Sequence, residues 1–176
     1  MSFVDRLTFG MGPHLHLSDA AIPRRTQSIL VVDDKLETVL LLRELLTSRG
    51  YKVITAGNAD EAQQSLHEER PDLILLDVIM PGKSGYDLCR EIKADPHTRL
   101  IPVIMITGLS DRDDRIRGIE AGADDFLSKP LYPEELFARV RSLLKLKEFT
   151  DELDNAEEVI FSLALGVEAR DPYTGD

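Results

Sequence analysis

The sequence predicts an α/β fold: a five-stranded parallel sheet with helices on both faces, followed by a long C-terminal coiled-coil helix. Three observations lead there. Short apolar runs alternate with helical patterns at intervals of about twenty to thirty residues, the rhythm of repeated βα units. Several of those runs lack polar alternation, as strands covered on both faces should. Crossovers this short must be right-handed, which distributes the helices over both faces of the sheet.

Taken in chain order, the first strand is the run from Ile29 to Val32, and the first helix carries Leu36, Val39, Leu40, Leu42, Leu45 and Leu46 before Gly50 ends it. Val53 to Thr55 is the second strand. Ala59, Ala62 and Leu66 give the three-then-four spacing of the second helix, which Pro71 stops. Leu73 to Leu76 is the third strand, and Gly85, Leu88, Cys89 and Ile92 mark the third helix. Val103 to Ile106 is the fourth strand, with Ile116 and Ile119 on the fourth helix; Asp125 to Leu127 is the fifth strand. The fifth helix opens at Pro133, a favourable first-turn position, and presents Leu136, Val140 and Leu143.

The helical pattern does not stop there. Leu146, Phe149, Leu153, Ala156, Ile160, Leu163 and Val167 recur at alternating spacings of three and four, the seam of a coiled coil. Neither Gly nor Pro interrupts the chain between Glu134 and Leu165, so one helix is expected to run from the domain into the seam and pair with a second copy. The plainer alternative is a helix that packs back on its own domain. The expected organisation is an N-terminal extension over 1–27, a domain over 28–147, a helical linker over 148–170 and the start of something further over 171–176. The extension has Gly10, Gly12, Pro13 and Pro23 and no sustained periodicity; His14 and His16 lack acidic or thiol neighbours and read as bystanders rather than metal ligands.

Composition narrows the function. Of 176 residues 43% are hydrophobic, enough for an ordinary core, and 32 acidic against 21 basic side chains leave a net charge of −11. That charge argues against a bare nucleic-acid-binding surface. The lone Cys89 can form neither an intrachain disulfide nor a thiolate metal site, which fits a reducing compartment. The longest apolar run is four residues, and no signal-peptide pattern opens the chain, so the expectation is a cytoplasmic protein without membrane contact.

In an open parallel sheet, ligands bind beyond the carboxyl ends of the strands. The first strand runs out into Asp33 and Asp34, the third into Asp77, the fourth into Thr107 and Gly108, and the fifth reaches Lys129 and Pro130. The first and third strands are expected to be neighbours, which gathers three carboxylates. Such a group stays ionised only if a cation joins it, and Mg2+ suits carboxylate and phosphate oxygens. Helix capping would explain one aspartate; three, with a Lys and a Thr at the other strand ends, point to a metal and phosphate site. A nucleotide or flavin loop would need glycines or hydroxyls where Asp33 and Asp34 stand.

The segments ILVVDDKLE, DLILLDVIMPGKSGYDLCREIK, IPVIMITG and GADDFLSKPLYPEEL resemble, in order and spacing, the response-regulator receiver domain over roughly 28–147. The resemblance implies the flavodoxin-like strand order 2-1-3-4-5, which the chemotaxis receiver exemplifies. It implies that Asp77 accepts a phosphoryl group from a histidine kinase or histidine phosphotransfer protein. It further implies that Mg2+ is bound by Asp34, Asp77 and the backbone carbonyl of Ile79, with Asp33 acting through water. Lys129, Thr107 and Gly108 would bind the phosphoryl group, and a cis bond before Pro130 would aim Lys129 inward. Thr107 and Phe126 would form the switch, Phe126 standing where a tyrosine is common. Arg115, Arg117, Asp124, Asp125, Glu135, Arg139 and Arg141 would form the charged face of a homodimer, the plainer alternative being a solvated surface of interleaved charge. Ile79 and Leu109 are apolar where polar side chains in relatives help orient hydrolytic water, so a long-lived phosphoryl group is expected.

The last residues, AEEVIFSLALGVEARDPYTGD, resemble the opening of an HD-GYP phosphodiesterase domain, a family that hydrolyses cyclic di-GMP at a metal centre; its ligands and GYP motif lie downstream of the matching stretch. The expected protein is therefore a phosphorylation-controlled signalling module, not itself a turnover enzyme, that relays its state through a dimeric helical linker. Two competitors remain. An aspartyl phosphotransferase of the haloacid-dehalogenase type would want a second Asp where Ile79 stands, and a receiver-like dimerisation module would dispense with phosphorylation altogether.

Overall fold

The computed structural model describes residues 25–108 and 112–168, with side chains as far as Leu163. The elements run β1 (Ser28–Val32), α1 (Leu36–Thr47), β2 (Lys52–Ala56), α2 (Ala59–Glu69), β3 (Leu73–Asp77), α3 (Gly85–Ala94), β4 (Val103–Thr107), α4 (Arg112–Glu120), β5 (Asp125–Ser128) and α5 (Pro133–Glu168). All strand pairs are parallel, in the order β2-β1-β3-β4-β5. The doubly covered sheet is present as the unalternated runs require: every residue of β1, β3 and β4 is buried.

Successive side chains of a strand point to opposite faces, and this divides the core in two. Leu30, Val32, Ile74, Leu76, Val103 and Met105 pack with Ala62, Leu66, Leu88, Cys89 and Ile92 from α2 and α3. Ile29, Val31, Leu73, Leu75, Ile104 and Ile106 pack on the other face with Val39, Leu42 and Leu46 from α1 and Leu136, Val140 and Leu144 from α5. Each fully buried Leu or Ile contributes about 1.5–3 kcal/mol relative to exposure. The edge strand β2 is only partly covered, which is why its apolar run is short.

The helix ends follow local chemistry. Asn58 caps α2 by accepting the Glu61 amide at 2.9 Å, while Glu61 accepts the Gly57 amide at 2.7 Å. Arg70 then takes the left-handed conformation (φ 45°), and Pro71 prevents continuation. Gly50, at φ 85°, supplies the turn after α1.

Ile116 and Ile119 lie on α4 as expected but do not bury it: they are 41% and 63% exposed, and the buried residue of that helix is Gly118. The reason is distance, because a Cβ at Gly118 would lie 2.4 Å from Cε1 of Phe126, so the helix backbone itself rests on the ring and the flanking isoleucines stand off. In α5, Leu144 and not Leu143 completes the buried stripe; Leu143 is half-buried.

α5 is one unbroken helix of 36 residues, about 54 Å long. Its buried contacts with the domain end at Leu144. Leu146, Phe149, Leu153, Ala156, Ile160 and Leu163 are exposed, so over these residues the helix does not fold back on its own domain. The side chain of Val167, the His14 and His16 pair, Leu109 and the VEARDPYTGD segment beyond Gly166 lie outside what is described in full. Among the described residues no helix is long and apolar enough to cross a membrane.

Candidate functional site

The strand register builds the site. Val32 pairs with Leu76 across β1 and β3, so Asp33 and Asp77 leave the sheet side by side, a strand spacing apart. Asp77 pairs with Ile106 on β4, which puts Thr107 one step beyond it. Thr107 pairs with Ser128, and the Lys129 amide donates to the Thr107 carbonyl at 2.8 Å. The Lys129–Pro130 bond is cis. From there the Lys129 ammonium returns over the sheet end, with Nζ 2.9 Å from Asp77 Oδ1 and 3.3 Å from Asp33 Oδ2.

One carboxylate oxygen from each of Asp33, Asp34 and Asp77 lies within 4.8 Å of the other two. Asp33 and Asp77 are buried and Asp34 is exposed. Asp33 also accepts the Lys35 amide at 2.8 Å, so it shapes the turn into α1 although the helix has no side-chain cap of its own. Burial pushes the Asp77 carboxyl above its ordinary value; the Lys129 hydrogen bond opposes this, while the charges of Asp33 and Asp34 reinforce it. For Lys129, burial alone would lower the ammonium value, but bonding and attraction to Asp77 and Asp33 leave it raised. One ammonium thus fails to offset three carboxylates. A hard-oxygen cluster with surplus negative charge and one solvent-open member fits a small divalent cation such as Mg2+.

The α3 side contributes a residue that the sequence reading placed only on a helix face. A Cβ at Gly85 would fall 2.2 Å from the Asp77 carbonyl oxygen and 2.9 Å from Cα of Val78, and the Gly85 amide donates to the Val78 carbonyl at 3.0 Å. α3 therefore starts in contact with the backbone that carries Asp77. A glycine directly after the capping Ser84 was the available signal. Ile79, two residues beyond Asp77, has an exposed side chain. Thr107 is buried at the end of β4, beside Gly108.

The remaining candidates are spread more widely. Phe126 is already half-buried against the α2–α3 side of the core and beneath Gly118. Arg139 binds Asp125 with two contacts of 2.6 and 2.7 Å and also takes Glu135, all within the chain. Asp124 is held by Lys93 at 2.7 Å and by the Val103 amide. Arg115 lies over the Phe126 ring and Arg117 over Tyr86. Arg141 sits apart from these, at the base of the domain, lining a groove with Arg25, Arg49, Lys145 and Phe149.

Comparison with known proteins agrees with this geometry. A family model described as the response regulator receiver domain matches residues 29–141. The response regulator PleD of Caulobacter vibrioides is 51% identical over 129 residues, which are 73% of this chain and 28% of PleD. The transcriptional regulatory protein GltR of Pseudomonas aeruginosa is 42% identical over 124 residues, 70% of this chain and 51% of that protein. The chain thus spans about half or less of these curated relatives. Among solved structures, the signal receiver domain of a signal transduction histidine kinase from Syntrophus aciditrophicus superposes with a TM-score of 0.65 at 42% identity, covering 68% of this chain and 91% of that one. A two-component response regulator from Clostridium difficile gives a TM-score of 0.65 at 28% identity, covering 68% and 97%.

Proposed function

The chain belongs to the response regulator receiver domain family, and on that premise we propose that it is a phosphorylation-controlled signalling module whose acceptor is Asp77. A histidine kinase or histidine phosphotransfer protein supplies the phosphoryl group. An oxygen of the Asp77 carboxylate forms the new bond to phosphorus; the phosphorus–nitrogen bond to the donor imidazole breaks, its electron pair stays on the imidazole nitrogen, and that nitrogen is reprotonated. Asp34, Asp77 and the Ile79 carbonyl would hold Mg2+, with Asp33 acting through water, which suits a side chain already engaged by Lys35 and Lys129. When bound, the ion supplies positive charge to the phosphoryl oxygens. Lys129 supplies further fixed charge, and Thr107 and the Gly108 backbone donate to the same oxygens, so that donor and acceptor stay aligned through a loose transition state.

The phosphoryl group, whose oxygens carry about −1.5 to −2 in place of the carboxylate's −1, draws Thr107 inward and repositions Phe126, and the change passes to α5. α5 relays it through a homodimeric seam from Leu146 to Val167 to an output domain, of which the end of the chain resembles an HD-GYP phosphodiesterase. The charged side chains of α4, β5 and α5 contribute to the dimer face. The observation that supports this reading most is the convergence of three carboxylates within 4.8 Å under an ammonium 2.9 Å from Asp77. Acetyl phosphate with Mg2+, followed by intact-mass measurement, tests it. One phosphoryl addition to the wild type and none to Asp77→Ala is expected; no addition to the wild type overturns it.

A further inference from the structure

α4 is the helix with the least apolar anchorage. Gly118 is its buried residue, and both isoleucines face solvent. Two aromatic side chains touch it, with Met105 also close to Gly118. From β5, the Phe126 ring fills the space beneath Gly118. From α3, the buried Tyr86 donates its hydroxyl to the Asp114 carbonyl at 3.2 Å, with Asp114 Oδ1 3.5 Å away. The Arg117 guanidinium covers the same ring at 4.7 Å from its centroid and lies 4.0 Å from Asp114. Burial and the Asp114 charge push the Tyr86 phenol above its ordinary value, so it remains a donor at neutral pH. Phe126 has no hydroxyl; the side-chain hydrogen bond to the first turn of α4 is made from α3 instead.

Tyr86 is also the neighbour of Gly85, which lies against the Asp77 carbonyl. α4 therefore meets the site along two routes, the connection after Thr107 and the start of α3. We infer that Tyr86 is a latch, a positioning residue whose hydroxyl holds α4 in the arrangement seen here. Its loss shifts the domain toward the arrangement adopted when Asp77 is phosphorylated. The inference rests on Asp77 being the acceptor. Linkage gives the sign: a contact made in the unphosphorylated arrangement and weakened in the other opposes phosphorylation by its differential free energy.

Tyr86→Phe removes one hydroxyl and keeps the ring. In the full chain without phosphate donor, amides of 112–120 should exchange with deuterium about fivefold faster than in wild type, the net worth of one side-chain hydrogen bond. Exchange in β1 and β3 should not change. Phosphorylation of the wild type should accelerate the same α4 amides, and acetyl phosphate should modify Tyr86→Phe about fivefold faster than wild type. Arg117→Met, which takes the guanidinium off the ring and leaves the hydroxyl, should move both readouts the same way by less. A wild-type chain that is phosphorylated while Tyr86→Phe leaves the α4 exchange and the rate unchanged overturns the latch alone. A wild-type chain that takes up no phosphoryl group overturns the Asp77 reading, and the latch's link to phosphorylation with it.

Discussion

Asp77→Asn should make the metal-free protein more stable at pH 7, although it removes the 2.9 Å ion pair with Lys129. At an effective dielectric of about 20, that pair is worth about 6 kcal/mol of attraction, and each of Asp33 and Asp34, no more than 4.8 Å away, returns about 3–4 kcal/mol of repulsion. The charges therefore roughly offset, and the desolvation of a carboxylate that is 3% exposed decides the sign. An isosteric amide should gain about 1–2 kcal/mol, or about 3–8 °C in Tm for a domain of this size. The pH dependence follows from linkage. Because the folded Asp77 holds its proton to a higher pH than an unfolded one, wild-type stability falls as pH rises from the ordinary carboxylate range through the raised folded value. The advantage of Asn should thus be complete above the raised folded value and shrink as pH falls toward the ordinary carboxylate range. Mg2+ should reverse the order by stabilising the wild type more than the variant. Thermal and urea unfolding in EDTA, then in Mg2+, measure all of this. An Asn variant less stable than wild type at pH 7 without metal would refute the balance of terms.

Gly85→Ala drives a Cβ against the Asp77 carbonyl and should cost about 1–3 kcal/mol while slowing phosphoryl uptake, read by urea unfolding and intact mass. Lys129→Met leaves Asp33 and Asp77 without their cation and should cost about 2–3 kcal/mol in EDTA, part of it recovered by Mg2+ in a melting curve. Ile79→Asn places a polar group two residues from Asp77, where the side chain is exposed, and should shorten the phosphoryl lifetime several-fold. An unchanged lifetime by time-resolved mass measurement removes the link between the apolar residue and a long-lived state. Leu153→Glu should abolish association through α5 in light scattering while leaving the melting temperature of the domain in place.

Most of the sheet was legible because burial on both faces writes itself as uninterrupted apolar runs. Ile29 to Val32, Leu73 to Leu76 and Val103 to Ile106 could hardly be anything else between helical patterns. The aspartates were legible for a related reason: a carboxylate directly after such a run has left the core but not the sheet, and adjacent strands then set the spacing. The close approach of Gly85 to the Asp77 backbone was only hinted at: a glycine after Ser84 marks a crowded helix start but does not say which backbone crowds it. The partner choice of Arg139 was not legible, because Asp125 lies fourteen residues away and many exposed carboxylates compete for one guanidinium.

In α4 the apolar spacing and the burial part company. Ile116 and Ile119 carry the spacing of a buried face, yet the helix turns them outward and sets Gly118 on Phe126. A helix buried through leucines, like α1 or the first half of α5, gains several kcal/mol from apolar area, and moving it would forfeit that. A helix held by a glycine on a ring and by one phenolic hydroxyl gives up less when it shifts, since Ile119 is mostly and Ile116 partly hydrated already. Local pattern and tertiary placement disagree at the element that leads directly away from Thr107, and such disagreements are expected where a protein gives up stability for a second arrangement. The strands that hold the carboxylates show no such conflict. The chain thus keeps Asp77, the acceptor we propose, on the most deeply buried strands and its least anchored helix one short connection away, so that a phosphoryl group placed there would meet a rigid base and a yielding neighbour.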